Sequence, residues 1–205
     1  MNTTTVPDIV VSRLPIYLRA LSRMEQEGAR IVSSHELGKL LGISSAQIRK
    51  DLSHFAKFGK QGTGYKVHDL VDQLRRILKI DREWNVALVG AGDLGHALAR
   101  YNGFSDRGFR IVLIFDSDPG KIGESLSGLP VRSAAEIASL LPEHNIVLAM
   151  LAVPAEHAQS VADLVVAAGV TAILNYAPIH LAVPERVRVQ YIDPVLHLQQ
   201  MTYYL

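Results

Sequence analysis

The chain contains no cysteine, which excludes disulfides, thiolate metal sites and cysteine nucleophiles. It also lacks a long apolar stretch: the longest run, Ile146 to Ala155, has ten residues, well short of the roughly 18 that a membrane span requires. The opening residues Met1-Asn2-Thr3-Thr4-Thr5 have neither a cationic head nor an apolar stretch of signal-peptide length, so a cytoplasmic protein is expected. Net charge is nearly absent too, at +1. What the chain has is size and apolarity. With 205 residues, 48% of them hydrophobic, it can bury the core of two small domains or one large one, and disorder does not describe the whole.

The small net charge hides a segregation. Up to the single Trp84 there are 14 Lys+Arg against 9 Asp+Glu; beyond it there are 7 against 11. A basic segment ahead of an acidic one suggests that the first meets a polyanion.

The basic segment reads as short helices. Ile16, Leu18, Leu21 and Met24 recur at near-helical spacing up to Gly28, with Pro15 suited to a first turn. Ser33 to Glu36 is a capping box, Gly42 breaks the helix it opens, and Ser44 with Gln47 repeats the box pattern. Ile48, Leu52 and Phe55 give the third helix its apolar stripe. Two short helices about a tight turn form a helix-turn-helix. Opposite the stripe lie donors able to reach base edges or phosphates, opposed by Asp51 alone. Ser45, Gln47, Arg49, Lys50, Ser53 and Lys57 are the candidate DNA contacts on this helix. Phe58 to Val67 carries Gly59, Gly62 and Gly64 with Lys60 and Lys66, the composition of a hairpin tip. A basic hairpin after a recognition helix makes a winged helix, and Lys60 and Gln61 join the candidate contacts. An amphipathic helix from Val67 to Ile80 follows, then a linker.

The acidic segment alternates strand, loop and helix. The apolar strand Val86 to Val89 runs into Gly90-Ala91-Gly92-Asp93-Leu94-Gly95, a GxGxxG between a strand and a helix. In that context Gly90 permits the turn, Gly92 admits a pyrophosphate and Gly95 lets the helix pack on the strand. A second strand ends in Asp116, 21 residues after Gly95, where a carboxylate accepts from an adenosine ribose. Asp116 disfavours a 2′-phosphate, so NAD(H) is expected, with Lys121 nearby to weaken the preference. The turn Pro119-Gly120 leaves a second role open for Asp116, as a turn cap. Later strands run into Val153-Pro154 and into Asn175-Tyr176-Ala177-Pro178. Loops at strand carboxyl ends are where ligands bind in a doubly wound sheet, so these are candidates for the nicotinamide. After Asp193-Pro194 a last helix carries Val195, Leu196, Leu198, Met201, Tyr203, Tyr204 and Leu205, more apolar surface than one stripe needs. That excess points to a homodimer built through it.

No Tyr-x-x-x-Lys pair occurs, the histidines are scattered, and the sheet consumes nearly all of the acidic segment. Little room is left for a substrate domain, so an enzyme is not expected, nor is a metal site. A nucleotide site joined to a DNA reader points to sensing. Two alternatives remain open: a small dehydrogenase, or an NAD(H)- or CoA-binding Rossmann protein without a regulatory role.

Along almost its whole length the chain resembles the Rex family of redox-sensing transcriptional repressors. The matching segments include Arg13 to Tyr17, Val32-Ser33-Ser34, Ile48 to Ser53, Phe58-Gly59-Lys60, Val89 to Gly95, Tyr101 to Phe104, Lys121-Ile122-Gly123, Val153-Pro154-Ala155, Leu174 to Pro178 and Tyr191-Ile192-Asp193. The resemblance implies an α/β protein: a winged-helix DNA-binding domain over 1–80, a linker over 81–85 and a Rossmann-type doubly wound parallel sheet binding NAD(H) over 86–192. A dimerisation helix exchanged between protomers would occupy 193–205. It implies binding to palindromic double-stranded DNA that NADH reverses, with NAD+ competing. By the same resemblance Arg49 and Lys50 contact the operator, Lys60 approaches the minor groove, and Tyr101 and Asp193 pair across the dimer according to redox state. Two positions depart from the family: Pro194, where a larger apolar residue is usual, and Ala56, where a glycine is usual.

Overall fold

The first helix, α1 (Asp8–Gln26), is longer than the sequence pattern predicts. It belongs to a computed structural model that describes residues 6–55 and 64–205. Pro7 takes the N-terminal cap, Asp8 lies in the electropositive first turn, and Pro15 sits in the helix interior instead of its first turn. An interior proline leaves a carbonyl one turn back without its helical donor; burial of Val10 and Leu14 on either side holds the helix together. The buried stripe is Val10, Leu14, Tyr17 and Leu21, which leaves Ile16 exposed. The expected set of Ile16, Leu18, Leu21 and Met24 was therefore off by one position at its start.

Next come β1 (Ile31–Val32), α2 (Ser34–Leu41), α3 (Ser45–Ser53), β2 (Tyr65–Lys66) and α4 (Val67–Ile77). The Ser33 capping box forms in full: Glu36 N–H donates to Ser33 Oγ at 3.1 Å and Ser33 N–H to Glu36 Oε2 at 2.7 Å. Gly42 ends α2 in the left-handed conformation, with φ of 67°, where a side chain would be strained. Ser44 caps α3 through Gln47 N–H at 3.2 Å. β1 pairs antiparallel with β2, and α4 ends at Ile77, three residues before Ile80. Leu14, Tyr17, Leu37, Ile48, Leu52, Leu70 and Leu74 form the centre of this unit's core. Lys57, Lys60, Gln61 and the expected hairpin tip as far as residue 63, along with Ala56, lie outside the described residues.

A second compact unit begins at Glu83. Its elements are β3 (Trp84–Val89), α5 (Asp93–Arg100), β4 (Phe109–Asp116), β5 (Ser125–Leu126), β6 (Leu129–Ser133), α6 (Ile137–Glu143), β7 (Leu148–Leu151), α7 (Ala155–Ala167), β8 (Ala172–Asn175), β9 (Arg188–Tyr191) and α8 (Pro194–Thr202). The strands form one sheet in the order β5-β6-β4-β3-β7-β8-β9. All neighbours are parallel except β5, which turns back antiparallel on β6. Apart from β5 the chain leaves β3 first to one side and then, from β7, to the other, which is the doubly wound dinucleotide-binding arrangement. Alternate residues of β3 feed two cores. Ala87 and Val89 join Phe115, Leu141 and Val165 on one face, while Val86 and Leu88 join Leu98, Ile114 and Met150 on the other.

β3 starts at Trp84, so Trp84 and Asn85, expected in the linker over 81–85, are strand instead, paired with Phe109 and Arg110 of β4. The short β5 has too few residues to show a pattern. α7 begins at Ala155, because Pro154 serves as its cap and alanine favours the helix from the first position. Among the described residues no helix is long and apolar enough to cross a membrane.

Candidate nucleotide site and nucleic-acid interface

The glycine-rich loop lies where β3 hands over to α5, and its three glycines answer to different constraints. Gly90 has φ of 105°, and a Cβ there would strike the Ala152 carbonyl. A Cβ on Gly95 would strike the Gly90 carbonyl. Both are required by the protein itself. Gly92 is not: its backbone is extended and a Cβ would meet nothing within 4 Å. Gly92 is also the N-cap of α5, and no side chain caps that helix. The first-turn N–H groups of α5 thus face space that a side chain at position 92 would fill, the form of a phosphate cradle.

Asp116, at the end of β4, is buried beside this loop. Its Oδ2 accepts from Ala91 N–H at 2.7 Å and its Oδ1 from Asp118 N–H at 2.9 Å. Lys121 Nζ stands 3.5 Å from Oδ2. Burial alone would raise the Asp116 carboxyl, but the two backbone donors and Lys121 outweigh it and hold the group below its ordinary value. The turn-capping role and the loop-anchoring role therefore coexist. An ionised carboxylate has about four acceptor sites, so Asp116 can still accept from a ribose hydroxyl.

The other two loops come from neighbouring strands. Val153 follows β7 and lies against Gly90, and Tyr176 follows β8, its N–H donating to Leu151 O at 3.0 Å. Asn175 is buried and shapes its own loop: Nδ2 donates to the Ala177 and Ile179 carbonyls, and Oδ1 accepts from Ala177 N–H. It serves the fold of Ala177 and Pro178 before any ligand. Burial raises the Tyr176 hydroxyl above its ordinary value. Tyr101 ends α5, at the far end of that helix from the glycine loop, exposed and edge-on to Phe104. Asp193 caps α8, accepting from Val195 N–H at 2.9 Å, and Pro194 takes the helix's first position. Proline is well suited there, so this departure from the family pattern is accommodated locally. Every α8 residue from Pro194 to Thr202 is exposed.

In the first unit α3 presents Arg49, Lys50 and Ser53 to solvent, with Ser45 partly covered at its start. Arg49 Nη1 donates to Ser34 Oγ at 3.0 Å and Ser53 Oγ to the Lys50 carbonyl at 2.7 Å. Gln47 turns away from that face, donating through Nε2 to Asp51 Oδ1 at 2.7 Å. Asp51 does not oppose the basic face at all. It is fully buried and accepts from Arg13 Nε at 2.6 Å, Arg13 Nη2 at 2.7 Å and the Tyr17 hydroxyl at 2.6 Å.

Both units have counterparts among known proteins. The putative DNA-binding protein N-terminus family matches residues 5–53 and the CoA binding domain family residues 81–179. The redox-sensing transcriptional repressor Rex of Chloroflexus aurantiacus is 53% identical over 97% of this chain and 94% of its own length. The chain belongs to the Rex family. A Roseiflexus Rex is 54% identical over 97% of this chain and 90% of its own. The crystal structure of RSP, a Rex-family repressor, in complex with β-NAD+ and operator DNA superposes with a TM-score of 0.93 at 35% identity, covering 98% of this chain and 93% of that one. Rex relatives are named as repressors of transcription and not as enzymes.

Pattern reading missed the Arg13 and Tyr17 contacts of this Rex chain, although their spacing of four puts both on one face of α1. Burial would raise the Asp51 carboxyl, but the donors from Arg13, Tyr17 and Gln47 prevail and keep it low. A carboxylate depressed in the fold adds stability above its unfolded value, near pH 3.9, that is lost as pH falls through the folded value. Acid unfolding followed by circular dichroism is expected to steepen below about pH 4. Asp51→Asn should flatten that limb, and an identical acid limb in the variant would assign it to other carboxylates.

Proposed function

We propose that this chain represses transcription by binding a palindromic operator as a homodimer, and that NADH releases it while NAD+ leaves it bound. One juxtaposition carries the reading: a dinucleotide cradle at Gly92 and Asp116 and a basic helix-turn-helix occur in a single chain of the Rex family. RSP has been seen with β-NAD+ on operator DNA and, separately, with β-NADH, which supports the same ligands here.

Gly90 to Gly95 would hold the pyrophosphate, Asp116 the adenosine ribose with Lys121 beside it, and Val153, Pro154 and Asn175 to Pro178 the nicotinamide end. The bound coenzyme supplies a ring that is charged and planar when oxidised and neutral when reduced. Its remaining contacts are shared by both forms, so discrimination arises at the Val153 and Tyr176 loops and at Tyr101 and Asp193, the residues we assign to the dimer contact. Ser45, Arg49, Lys50 and Ser53 would meet DNA, and we assign Lys57, Lys60 and Gln61 to the same interface, whereas Gln47 is held by Asp51. Two heads on one dimer fill successive major grooves only at one separation, so a change of separation alters affinity with no change at any base. The first unit, to Arg82, would serve the operator and the sheet from Trp84 to residue 192 the coenzyme, with 193–205 serving the dimer. We place the protein in the cytoplasm and assign it no catalytic residue.

Fluorescence polarisation tests this directly. A palindromic duplex enriched from a random pool should bind tightly and be released by NADH but not by NAD+ at matched occupancy. Lys50→Ala should weaken that binding by about 1–3 kcal/mol if it reads a base edge. Equal release by both coenzyme forms would sink the redox reading, and absence of any preferred duplex would sink the repressor reading.

A further inference from the structure

We propose that Asp51 is a positioning residue for operator reading: the hydrogen bonds it accepts from Arg13 and Tyr17 of α1 fix the rotation of α3, and so the direction of Arg49 and Lys50, while Gln47 holds the carboxylate from within α3. The inference rests on the DNA-binding role proposed above and goes beyond it to a residue that cannot itself touch DNA.

α3 has nine residues, too few to be stable on its own, so its placement depends on what it packs against. Its fully buried apolar anchors are Ile48 and Leu52. Being four apart, they form a line nearly parallel to the helix axis, and a line is an axis about which a helix can roll. Asp51 lies off that line. Its carboxylate is gripped by Arg13 through Nε and Nη2, a two-point contact that fixes orientation as well as distance. Tyr17 Oη adds a third donor from α1, and Gln47 ties the same carboxylate to the preceding turn of α3. Tyr17 and Asp51 are both at 0% exposure, so the carboxylate and its bond from Tyr17 are shielded from solvent, while Arg13 is partly exposed. A roll of about 15° displaces a side chain near 6 Å from the axis by roughly 1.5 Å. Recognition geometry tolerates only about 0.5 Å.

A purely electrostatic role for Asp51 makes the opposite prediction. Removing a negative charge beneath a basic face strengthens binding to every duplex. A positioning role separates specific from non-specific binding.

The test measures affinity for a duplex enriched from a random pool by the full-length wild type, and for a scrambled duplex of the same composition, at fixed salt. Asp51→Asn should lower the ratio of the two affinities by about tenfold or more, with affinity for the scrambled duplex unchanged or raised and its salt slope preserved. Tyr17→Phe keeps the ring, the charge and the core, and should lower the ratio by about threefold. Circular dichroism checks folding; should Asp51→Asn fail to fold, Tyr17→Phe decides alone. An unchanged ratio in the folded variants, or parallel losses on both duplexes, overturns the positioning role. A wild type that prefers no duplex at all would instead overturn the DNA-binding reading beneath it.

Discussion

Gly92→Val is expected to leave the protein folded and to weaken NADH binding by about a hundredfold or more, some 2.7 kcal/mol. The backbone at Gly92 has φ of −81° and ψ of −169°, a region open to any L-residue. A Cβ meets no protein atom there, so the cost to stability is mainly that of a poorer N-cap for α5, about 1 kcal/mol. The same methyl groups occupy the approach to the α5 N-terminus, where the pyrophosphate needs the backbone bare. Gly95→Ala makes the contrast. Its Cβ collides with the Gly90 carbonyl, so the loop and α5 must separate, and stability should fall by about 1–3 kcal/mol together with coenzyme affinity. Isothermal titration calorimetry with NADH, paired with thermal melts, resolves the two variants. Should Gly92→Val bind NADH as the wild type does, the pyrophosphate lies elsewhere.

The difference between what the sequence disclosed and what it concealed follows the reach of the interactions. Ser33 with Glu36 was legible as a capping box because it is closed within one helical turn. The glycine loop was legible because strand, loop and helix are consecutive, and Asp116 because the fold fixes the length of the intervening helix and strand. Arg13 and Tyr17 lie 38 and 34 residues from Asp51, and no local rule joins them. In the absence of that contact, Asp51 looked like one acidic residue on a basic face and Gln47 like a reader of bases. Pro15 misled for a related reason: propensity puts proline in a first turn, but tertiary burial of Val10 and Leu14 carried α1 back through Asp8. Asn175 lay in an expected ligand loop, yet its amide is spent on the carbonyls that shape that loop, a fact visible only once the chain has turned back on itself.

Ending the chain after Ile192 is expected to give a monomer that binds NADH but no longer holds the operator. In the single chain α8 buries none of its side chains: Leu198 and Met201 are 60% and 63% exposed, and Tyr204 just after the helix is 84% exposed. Contiguous apolar surface of this kind is rare on a monomer and marks association, and we assign it to a second copy of the chain. Joining two heads makes the second half-site contact intramolecular, so loss of the join should weaken operator binding by about 10²- to 10⁴-fold. The glycine loop and Asp116 remain, so calorimetric affinity for NADH should fall far less. Leu198→Glu with Met201→Glu, which keeps the helix and spoils its apolar surface, should reproduce the loss. Sedimentation velocity reads the mass and polarisation the operator affinity. The decisive result is the pair: coenzyme still bound, and its presence no longer felt by DNA, because one head has no partner whose distance could change. A truncated protein that sediments as a dimer and releases the operator on NADH would move the dimer contact, and the redox coupling with it, away from α8.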